Sequence, residues 1–507
     1  MHEETVPLKG GDVSPRSCRE PQRTSFKSRC ISMFAIGASV IAIIIGAQAI
    51  MFALIGGRGD GSDVSTPTMP VPNGVQTPVT DRRDFYDELG RYVLEDYDAQ
   101  PPFSNFLPAL AGYYGKPLYA FYVNRGQGIA SFGVTSKDFP IMEFSPANKA
   151  YQSSSLLGFR TFLQVSRKGH DYVVTEPFSP LETRFSQLSD ESLKKLPKRF
   201  MYVGSNEVHI QEIDRAHGIE TNVTYFILPE EDFGAFVKRT TITNLDKDTD
   251  LTISMLDGLA KIEPAGGKLQ KLLDEMGRTL EGWMGVYQTY KDTLTMPFFR
   301  LSTQPGDTAS VVIQQAGHWC LSMIEGEQDH DSELLPIIYD QSKVFGEDTT
   351  LLKPVALFNK PIKDIIKEPQ YGFAKTSSAF AAVDRVTVAP GKTVTVSTFF
   401  GKAERIVDMP VVAQRIQKAG FSQYKMARTR EIIKQITAGV ETNTANQLFN
   451  GHVQQMFLDN SLRGGIPSIL GDVDDDSKLR NADEDDRLKV YHLVSLRFVS
   501  FLALQCC

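Results

Sequence analysis

A polar stretch close to the C-terminus, LDNSLRGGIP at residues 458–467, holds residue types that could form part of a ligand site. Asp459 and Asn460 supply planar hydrogen-bonding groups, and Arg463 supplies a guanidinium that can bind an anion through two parallel hydrogen bonds. The run before them is predicted to be a helix that ends at two glycines. The same side chains could instead cap that helix, so both roles stay open.

Other candidate polar residues lie earlier in the chain. Arg125 and Gln127 stand between glycines in NRGQG, so they could reach a ligand or tie down a tight turn. Arg160, Asp138 and Glu143 could also face a ligand, but a buried ion-pair network is the favoured interpretation. We assign no catalytic residue from these patterns.

The composition excludes some classes of function. The chain of 507 residues has 41% apolar residues and a formal net charge of -7, and no run of Lys and Arg offers the basic face that nucleic-acid binding needs. Its eight histidines and five cysteines lack the spacing of a metal site. We therefore predict no nucleic-acid partner, no metal and no bound cofactor.

Residues 31–57 carry no charged side chain and are long enough to cross about 30 Å of hydrocarbon. The basic segment 1–30 is predicted to be a cytosolic tail, which makes the chain a single-pass type II membrane protein. Residues 58–83 are rich in Gly, Pro, Ser and Thr and are predicted to form a flexible stem. The rest would lie in the Golgi or ER lumen or outside the cell, where Asn222 heads the only glycosylation triplet after the stem. A signal peptide cleaved near 47–49 is the alternative.

Residues 84–403 contain short alternating apolar runs broken by Gly, Pro, Asn and Asp, which predicts an antiparallel β domain. In 237–255 two alternating runs flank a polar turn at 244–250, and in 383–401 a Pro-Gly pair separates two runs rich in Val and Thr. Both stretches are predicted to be β-hairpins. A further turn is predicted at Asp257-Gly258.

Residues 404–440 place apolar side chains at helical intervals and are predicted to form a helical linker. Residues 441–507 are predicted to hold one or two helices and an acidic loop, GDVDDDSKLRNADEDD at 471–486. Part of that loop resembles a calcium-binding loop, and its Asp474-Asp475-Asp476 could be the metal-diphosphate motif of a type II Golgi glycosyltransferase. The loop lacks the calcium loop's glycine and final glutamate, and no alternating βα domain is visible, so a solvated surface loop is favoured.

Five stretches together resemble the N-terminal half of the cellobiose-phosphorylase-like proteins, the glycoside hydrolase family 94 group that includes the cyclic glucan synthases. They are YVNRGQGIASFGVTSKDFPIMEFSPANKAYQ, GFRTFL, YFILPEEDFGAFVKRTTITNL, LDGLAKIEP and QQMFLDNSLRGGIP, in this order over about 340 residues. In that family a β-supersandwich precedes a helical linker and an (α/α)6 toroid. The resemblance therefore implies a supersandwich at 84–403, the linker at 404–440, and the first one or two helices of an incomplete toroid after it.

The resemblance also implies a reaction and a substrate class. Family members carry out inverting phosphorolysis, in which one carboxylic acid protonates the glycosidic oxygen and inorganic phosphate is the co-substrate. The implied partner is a β-linked oligosaccharide or glucan, and a homodimer is left open. The residues predicted to contact it are Arg125, Gln127, Arg160, Asp459, Asn460 and Arg463.

The family's catalytic acid and phosphate contacts would lie in the toroid beyond LDNSLRGGIP. We therefore expect this chain to be inactive by itself, with phosphate relevant only if the toroid is supplied. The alternative is a non-catalytic module that binds carbohydrate or another subunit.

Overall fold

The computed structural model describes residues 85–107, 118–134, 139–167, 171–180, 196–263, 269–289, 294–303, 311–326, 330–440, 442–462, 467–470 and 488–491. These residues form mostly antiparallel β-sheets with some helices, which confirms the predicted mainly β class. The predicted membrane span, the stem and the acidic loop lie outside the described residues. No helix within the described ranges has the length and apolar character needed to cross a membrane.

The strands vary from two to twelve residues. The first eleven are β1 (Phe85–Tyr86), β2 (Tyr92–Glu95), β3 (Ser104–Phe106), β4 (Leu118–Val123), β5 (Ile129–Val134), β6 (Pro140–Met142), β7 (Phe159–Arg167), β8 (Val173–Thr175), β9 (Lys198–Val203), β10 (Glu207–Asp214) and β11 (Ile219–Ile227). The others are β12 (Ala235–Asn244), β13 (Leu251–Ile262), β14 (Met284–Thr289), β15 (Pro297–Leu301), β16 (Gly317–Ile324), β17 (Glu333–Leu334), β18 (Ile337–Ile338), β19 (Ser377–Val388), β20 (Thr393–Ala403), β21 (Pro467–Leu470) and β22 (Leu488–Tyr491).

The helices vary from four to seventeen residues. They are α1 (Ala147–Leu157), α2 (Leu269–Met276), α3 (Ser342–Phe345), α4 (Val355–Asn359), α5 (Ile362–Lys367), α6 (Met409–Ile416), α7 (Phe421–Thr437) and α8 (Gln447–Leu462). Short 3-10 turns occur at Tyr97–Ala99, Gly277–Trp283, Ile406–Asp408 and Ala438–Val440. The helical pattern after β20 is divided between α6 and α7 at Gly420, whose φ of 67° is a left-handed conformation that glycine adopts without a steric penalty.

Within the described residues the strands build three larger sheets and one small pair. The large sheet has eleven strands in the order β1-β2-β9-β10-β11-β12-β20-β16-β15-β14, with β17 paired to β16. The five-stranded sheet has the order β18-β19-β13-β7-β8, and the four-stranded sheet has the order β3-β4-β5-β6. The small pair is β21 with β22.

One hydrophobic core draws side chains from all three larger sheets. Phe132 of the four-stranded sheet stacks on Phe236 of the large sheet, with ring centroids 4.7 Å apart, and Phe159 of the five-stranded sheet stacks 5.6 Å from Phe132. The outer faces carry separate clusters. Helix α6 covers one face of the large sheet beside Trp319, and α3 to α5 cover the five-stranded sheet beside Phe380.

The two predicted hairpins are wrong, although their strands and turns exist. Consecutive strands β12 and β13 lie in different sheets, because β12 pairs with β11 and β20 while β13 pairs with β7 and β19. Strands β19 and β20 are divided in the same way. Each turn is therefore an arch that carries the chain from one sheet to the other.

The two arches are joined at Asn244. Its backbone N–H donates to the carbonyl of Lys392 at 3.1 Å and its own carbonyl accepts from the N–H of Gly391 at 3.0 Å. Its side-chain Nδ2 donates to the carbonyl of Val388 at 3.0 Å. One asparagine thus satisfies backbone groups in both arches, which a pair of independent hairpins would not require.

The turn predicted at Asp257-Gly258 is also wrong, since both residues lie inside strand β13. The glycine is needed there for close packing and not for a turn. A Cβ added at Gly258 would lie 1.9 Å from the carbonyl oxygen of Ala379 on the paired strand β19.

Candidate functional site

A buried polar network crosses the interior between the sheets. Lys238 on β12 makes an ion pair with Asp257 on β13, and its Nζ also donates to Thr240 Oγ1 at 2.9 Å. Asp257 accepts from Thr240 at 2.9 Å and from Thr161 on β7 at 2.5 Å. Gln127, in the loop after β4, donates to Thr161 at 2.8 Å. Side chains from three sheets are thus joined in one network.

This network is closed to solvent. Lys238 and Asp257 are each 0% exposed, and Gln127 is 3% exposed. Burial lowers the pKa of Lys238 from its usual value, while the adjacent Asp257 carboxylate opposes that shift. The arrangement holds the sheets in register, and Gln127 takes part in it as an interior residue.

Arg160 occupies a second buried site, on the opposite face of the five-stranded sheet from the network. Its Nε donates to Glu176 at 2.6 Å, and its two Nη groups donate to the carbonyls of Leu351 and Leu352 before helix α4. The guanidinium also lies 4.7 Å from the ring centroid of Phe162. Arg160 is therefore in a buried ion pair with Glu176, the predicted network with Glu143 does not form, and Asp138 lies outside the described residues.

The other predicted residues belong neither to the Lys238–Asp257 network nor to the Arg160 site. Arg125 is half-buried, with its guanidinium 6.0 Å from the ring centroid of Tyr151, and its carbonyl closes a tight turn by accepting from Gly128 N–H at 3.0 Å. Glu143 pairs with Arg278 at the surface at 2.9 Å. The structure therefore does not bring Arg125, Gln127 and Arg160 into one pocket.

The C-terminal candidates and the glycosylation candidate have no tested role. Asp459 and Asn460 belong to helix α8, but their side chains lie outside the description, as do all atoms of Arg463. Asn222 lies in β11 and donates to Glu220 Oε1 at 2.8 Å. It is half-buried in the middle of the strand.

A different set of residues places exposed aromatic rings at the described surface. Tyr371 and Phe373, in the segment before β19, are 58% and 47% exposed. Phe373 lies 5.8 Å from Tyr371 and 5.5 Å from Tyr287 on β14, with rings crossed at 75° and 61°. We call Tyr287, Tyr371 and Phe373 the aromatic edge. About half of the surface of Tyr371 and of Phe373 is exposed, and this part of the two rings can pack on an apolar ligand surface.

Backbone hydrogen bonds attach this segment to the last strand of the large sheet. The N–H of Val286 donates to Gly372 at 2.7 Å, and the N–H of Lys375 donates to Met284 at 3.1 Å. This close approach requires a glycine at 285, because a Cβ there would lie 2.1 Å from the Gly372 carbonyl oxygen. The aromatic side chains are therefore presented by a fixed backbone.

Hydrogen bonds of Asp340 and Gln370 also hold the segment that carries Tyr371 and Phe373. Asp340 Oδ2 accepts from the N–H of Tyr371 at 2.9 Å, and its Oδ1 accepts from Lys375 Nζ at 2.7 Å. Gln370 Oε1 accepts from the N–H of Tyr339 at 2.7 Å. Burial opposes ionisation of Asp340, but hydrogen bonds from Lys375, Tyr371 and neighbouring groups hold its pKa below the usual 3.8. At neutral pH this buried carboxylate is an anion that positions the loop.

The sequence patterns that identified the other candidates do not reveal the aromatic edge. Tyr287 is separated from Tyr371 and Phe373 by more than eighty positions, and Tyr371 and Phe373 lie outside any regular element. The local signal is the sequence QYGF, in which a glycine separates two aromatics. The QYGF sequence indicates an aromatic cluster only when strand β14, with Tyr287, is known to lie beside it.

Comparisons with known proteins give similarity at very low identity. No family model and no curated protein matches this chain. A bacterial glucoamylase complexed with acarbose is 6% identical, with a TM-score of 0.30, over 69% of this chain and 43% of that protein. A protein described as a kojibiose phosphorylase, from the human microbiome, is 8% identical, with a TM-score of 0.24, over 73% of this chain and 32% of that protein.

A family GH92 α-mannosidase from Bacteroides thetaiotaomicron is 9% identical, with a TM-score of 0.24, over 71% of this chain and 39% of that protein. This chain thus spans less than half of the length of all three. The similar structures have glycoside hydrolase and phosphorylase folds. At these identities and TM-scores no residue role transfers from them, and the resemblance to family 94 stays a prediction.

Proposed function

We propose that this chain binds carbohydrate at the aromatic edge without cleaving it, on a β-supersandwich that is tethered to a membrane by residues 31–57. The observation that carries the proposal is the pair of exposed rings, Tyr371 and Phe373, held on an anchored backbone. The chemical reason is general. A pyranose ring presents C–H groups on its faces, and exposed aromatic rings bury such surfaces while leaving the hydroxyls in water.

The rigidity of the segment favours binding by a preformed surface. Each ordering step that a ligand must induce subtracts from its affinity. Tyr371 and Phe373 are already fixed by the backbone bonds to β14 and by Asp340. Aromatic side chains lose little conformational entropy on binding, because they have only two rotatable side-chain bonds.

The chemistry of the anchoring residues supports binding over cleavage. Glycoside cleavage requires a carboxylic acid that protonates the leaving oxygen, and usually a second carboxylate or another nucleophile. Among the described residues that anchor the aromatic edge, the one carboxyl group is that of Asp340. It is 2% exposed, its pKa is held below the usual value, and both of its oxygens accept hydrogen bonds. It is therefore poorly suited to donate a proton at neutral pH.

The test is binding of β-linked oligosaccharides by the full chain in detergent. We expect a Tyr371→Ala/Phe373→Ala variant to lose roughly 10- to 30-fold in affinity, since each aromatic contact contributes about 1 kcal/mol. Trp283 provides the readout. It lies one residue before β14 and is 36% exposed, whereas the chain's other tryptophan, Trp319, is 0% exposed.

The matched control is Tyr424→Ala, because Tyr424 on α7 is 62% exposed and lies outside the aromatic edge. It should leave affinity unchanged. No binding by the wild type to neutral or acidic glycans would contradict the proposed function, and so would equal affinities of the wild type and the double variant.

The membrane proposal predicts a topology. Expressed in a eukaryotic cell, an N-terminal tag should be digested by protease added to intact microsomes, and residues from 84 onwards should be protected, because the flank at 1–30 is basic. Glycosylation of Asn222, removed in Asn222→Gln, would be a second indicator. Since Asn222 is half-buried in a strand, absence of a glycan decides nothing. Digestion of the β domain in intact microsomes would contradict the proposed topology.

A further inference from the structure

A buried arginine lies beside the aromatic edge without an acidic partner. Arg300, on β15, is 7% exposed, and its guanidinium carbon lies 5.4 Å from the ring centroid of Tyr287. Its Nη1 donates to the carbonyls of Leu301 at 2.7 Å and Ser302 at 3.0 Å. Among the described residues, no hydrogen bond involves its Nε or Nη2, and no carboxylate forms an ion pair with it.

The other buried arginines of the described fold, unlike Arg300, have acidic partners. Arg160 is paired with Glu176 at 2.6 Å, and Arg199 is paired with Glu212 at 2.7 Å. Burial lowers the pKa of Arg300, opposed only by Tyr287. A guanidinium at this depth without an anion carries a desolvation cost that neutral carbonyls compensate only in part.

The positions next to Arg300 on both neighbouring strands are glycines, and both are closely packed. Its register partner on β14 is Gly285. On β16, a Cβ added at Gly317 would lie 2.9 Å from the Cβ of Arg300. Glycines on both neighbouring strands mean that no side chain from those positions covers the arginine.

The remaining unpaired edge of the guanidinium has a specific shape. Nε and Nη2 form two parallel donors, which match the two oxygens of a carboxylate. Nη1 is held by two carbonyls, so the orientation of this edge is fixed before a ligand arrives. The guanidinium lies next to Tyr287, which contacts Phe373.

We propose that the glycan held at the aromatic edge is acidic, with a uronic-acid carboxylate that pairs with Arg300 while neighbouring sugar rings pack on Tyr371 and Phe373. This inference rests on the proposed carbohydrate-binding function and specifies its ligand class. The aromatic rings supply apolar contact that does not depend on the identity of the sugar, and Arg300 supplies selectivity for a charged ligand.

Three ligands with one backbone test the inference on the full chain in detergent. They are a β-1,4-linked mannuronate trisaccharide, β-1,4-linked mannotriose, and mannotriose sulfated at the 6-positions. We expect the mannuronate to bind about 10- to 100-fold more tightly than the neutral trisaccharide, because hydrogen bonds to charged groups are stronger than those to neutral ones. Its affinity should fall as salt is raised from about 50 to 300 mM, because the pairing is electrostatic.

Variants at Arg300 separate charge recognition from folding. Arg300→Met should abolish the preference for mannuronate and leave mannotriose affinity unchanged. Arg300→Lys, which keeps the charge but not the paired donors, should retain an intermediate preference and serves as the second variant if the methionine form does not fold. The control is Arg278→Met, which removes a 61% exposed arginine side chain and the same formal charge. This control variant should change neither the affinity for mannuronate nor the affinity for mannotriose.

Several outcomes would overturn the inference. Equal affinity of the wild type for mannuronate and mannotriose would do so while leaving the proposed function intact, provided that both depend on Tyr371 and Phe373. A preference for the sulfated ligand would reject the carboxylate assignment. An equal loss of affinity for all three ligands in both Arg300 variants would mean that the arginine only maintains the local structure.

Discussion

Replacing Lys238 by methionine should lower the free energy of unfolding by about 3–5 kcal/mol, because it leaves the Asp257 carboxylate charged in the interior without its partner. Both side chains are 0% exposed, so water cannot take the place of the ammonium group. The measurement is the denaturant midpoint of the full chain in detergent, followed by tryptophan fluorescence. Trp319, which is fully buried, reports on the large sheet.

The double variant Lys238→Met/Asp257→Leu should recover much of this loss, since it removes both buried charges. Recovery will be incomplete, because Thr161 and Thr240 both lose Asp257 as an acceptor, at a cost of about 1–3 kcal/mol per unsatisfied group. The control is Lys271→Met. Lys271 pairs with Glu275 at the surface and is 70% exposed, so its loss should cost less than about 0.5 kcal/mol. A Lys238→Met variant within 1 kcal/mol of the wild type would contradict the structural role of this ion pair.

Stability should fall steadily as the pH is lowered from 7 to 5. Burial, together with the charge of the nearby Lys402, lowers the pKa of His318 from 6.5 to about 3. Burial and the charge of Arg91 likewise lower the pKa of His209 to about 3. Between pH 6.5 and 3 the unfolded chain binds protons that the folded chain excludes, so this contribution is present in full above pH 6.5 and is lost as the pH falls.

The expected magnitude is about 1.4 kcal/mol per pH unit for each histidine. For His318, which is 0% exposed, this amounts to roughly 2 kcal/mol between pH 7 and 5, and His209 should contribute less because it is partly exposed. Denaturant midpoints of His318→Leu and His209→Gln at pH 7 and pH 5 would measure how much each histidine contributes to the pH dependence of stability. A wild-type midpoint that stays constant from pH 7 to 5, or a dependence that survives in the double variant, would contradict the prediction.

The strands around the two arches show which parts of a fold are predictable. Alternation of apolar and polar residues correctly placed strands within 237–255 and 383–401 and correctly placed the turns between them. It did not predict that each turn connects two sheets. The alternation records which face of a strand is buried, and it is the same for a hairpin and for an arch. Partner choice depends on contacts such as those of Asn244 with Val388 and Gly391, which are remote in sequence.

The candidate polar residues show the same division. Arg160 was singled out by its sequence context, and a buried ion pair was the favoured interpretation. Its partner, Glu176, could not be recognised, because a carboxylate sixteen positions away is one of many. Gln127 was singled out as well, but whether it would face a ligand or the interior depended on how three sheets meet around Thr161.

The sequence by itself determined the mainly β class, since period-two alternation and turn residues act over a few neighbouring positions. It also singled out residues 31–57 as an uncharged and predominantly apolar span. Only the tertiary structure decided the network around Lys238 and Asp257 and the neighbourhood of Arg300 and the aromatic edge. Both depend on contacts between strands far apart in the chain, where the low polarity of a shared interior and the absence of a Cβ at Gly285 determine which side chains meet.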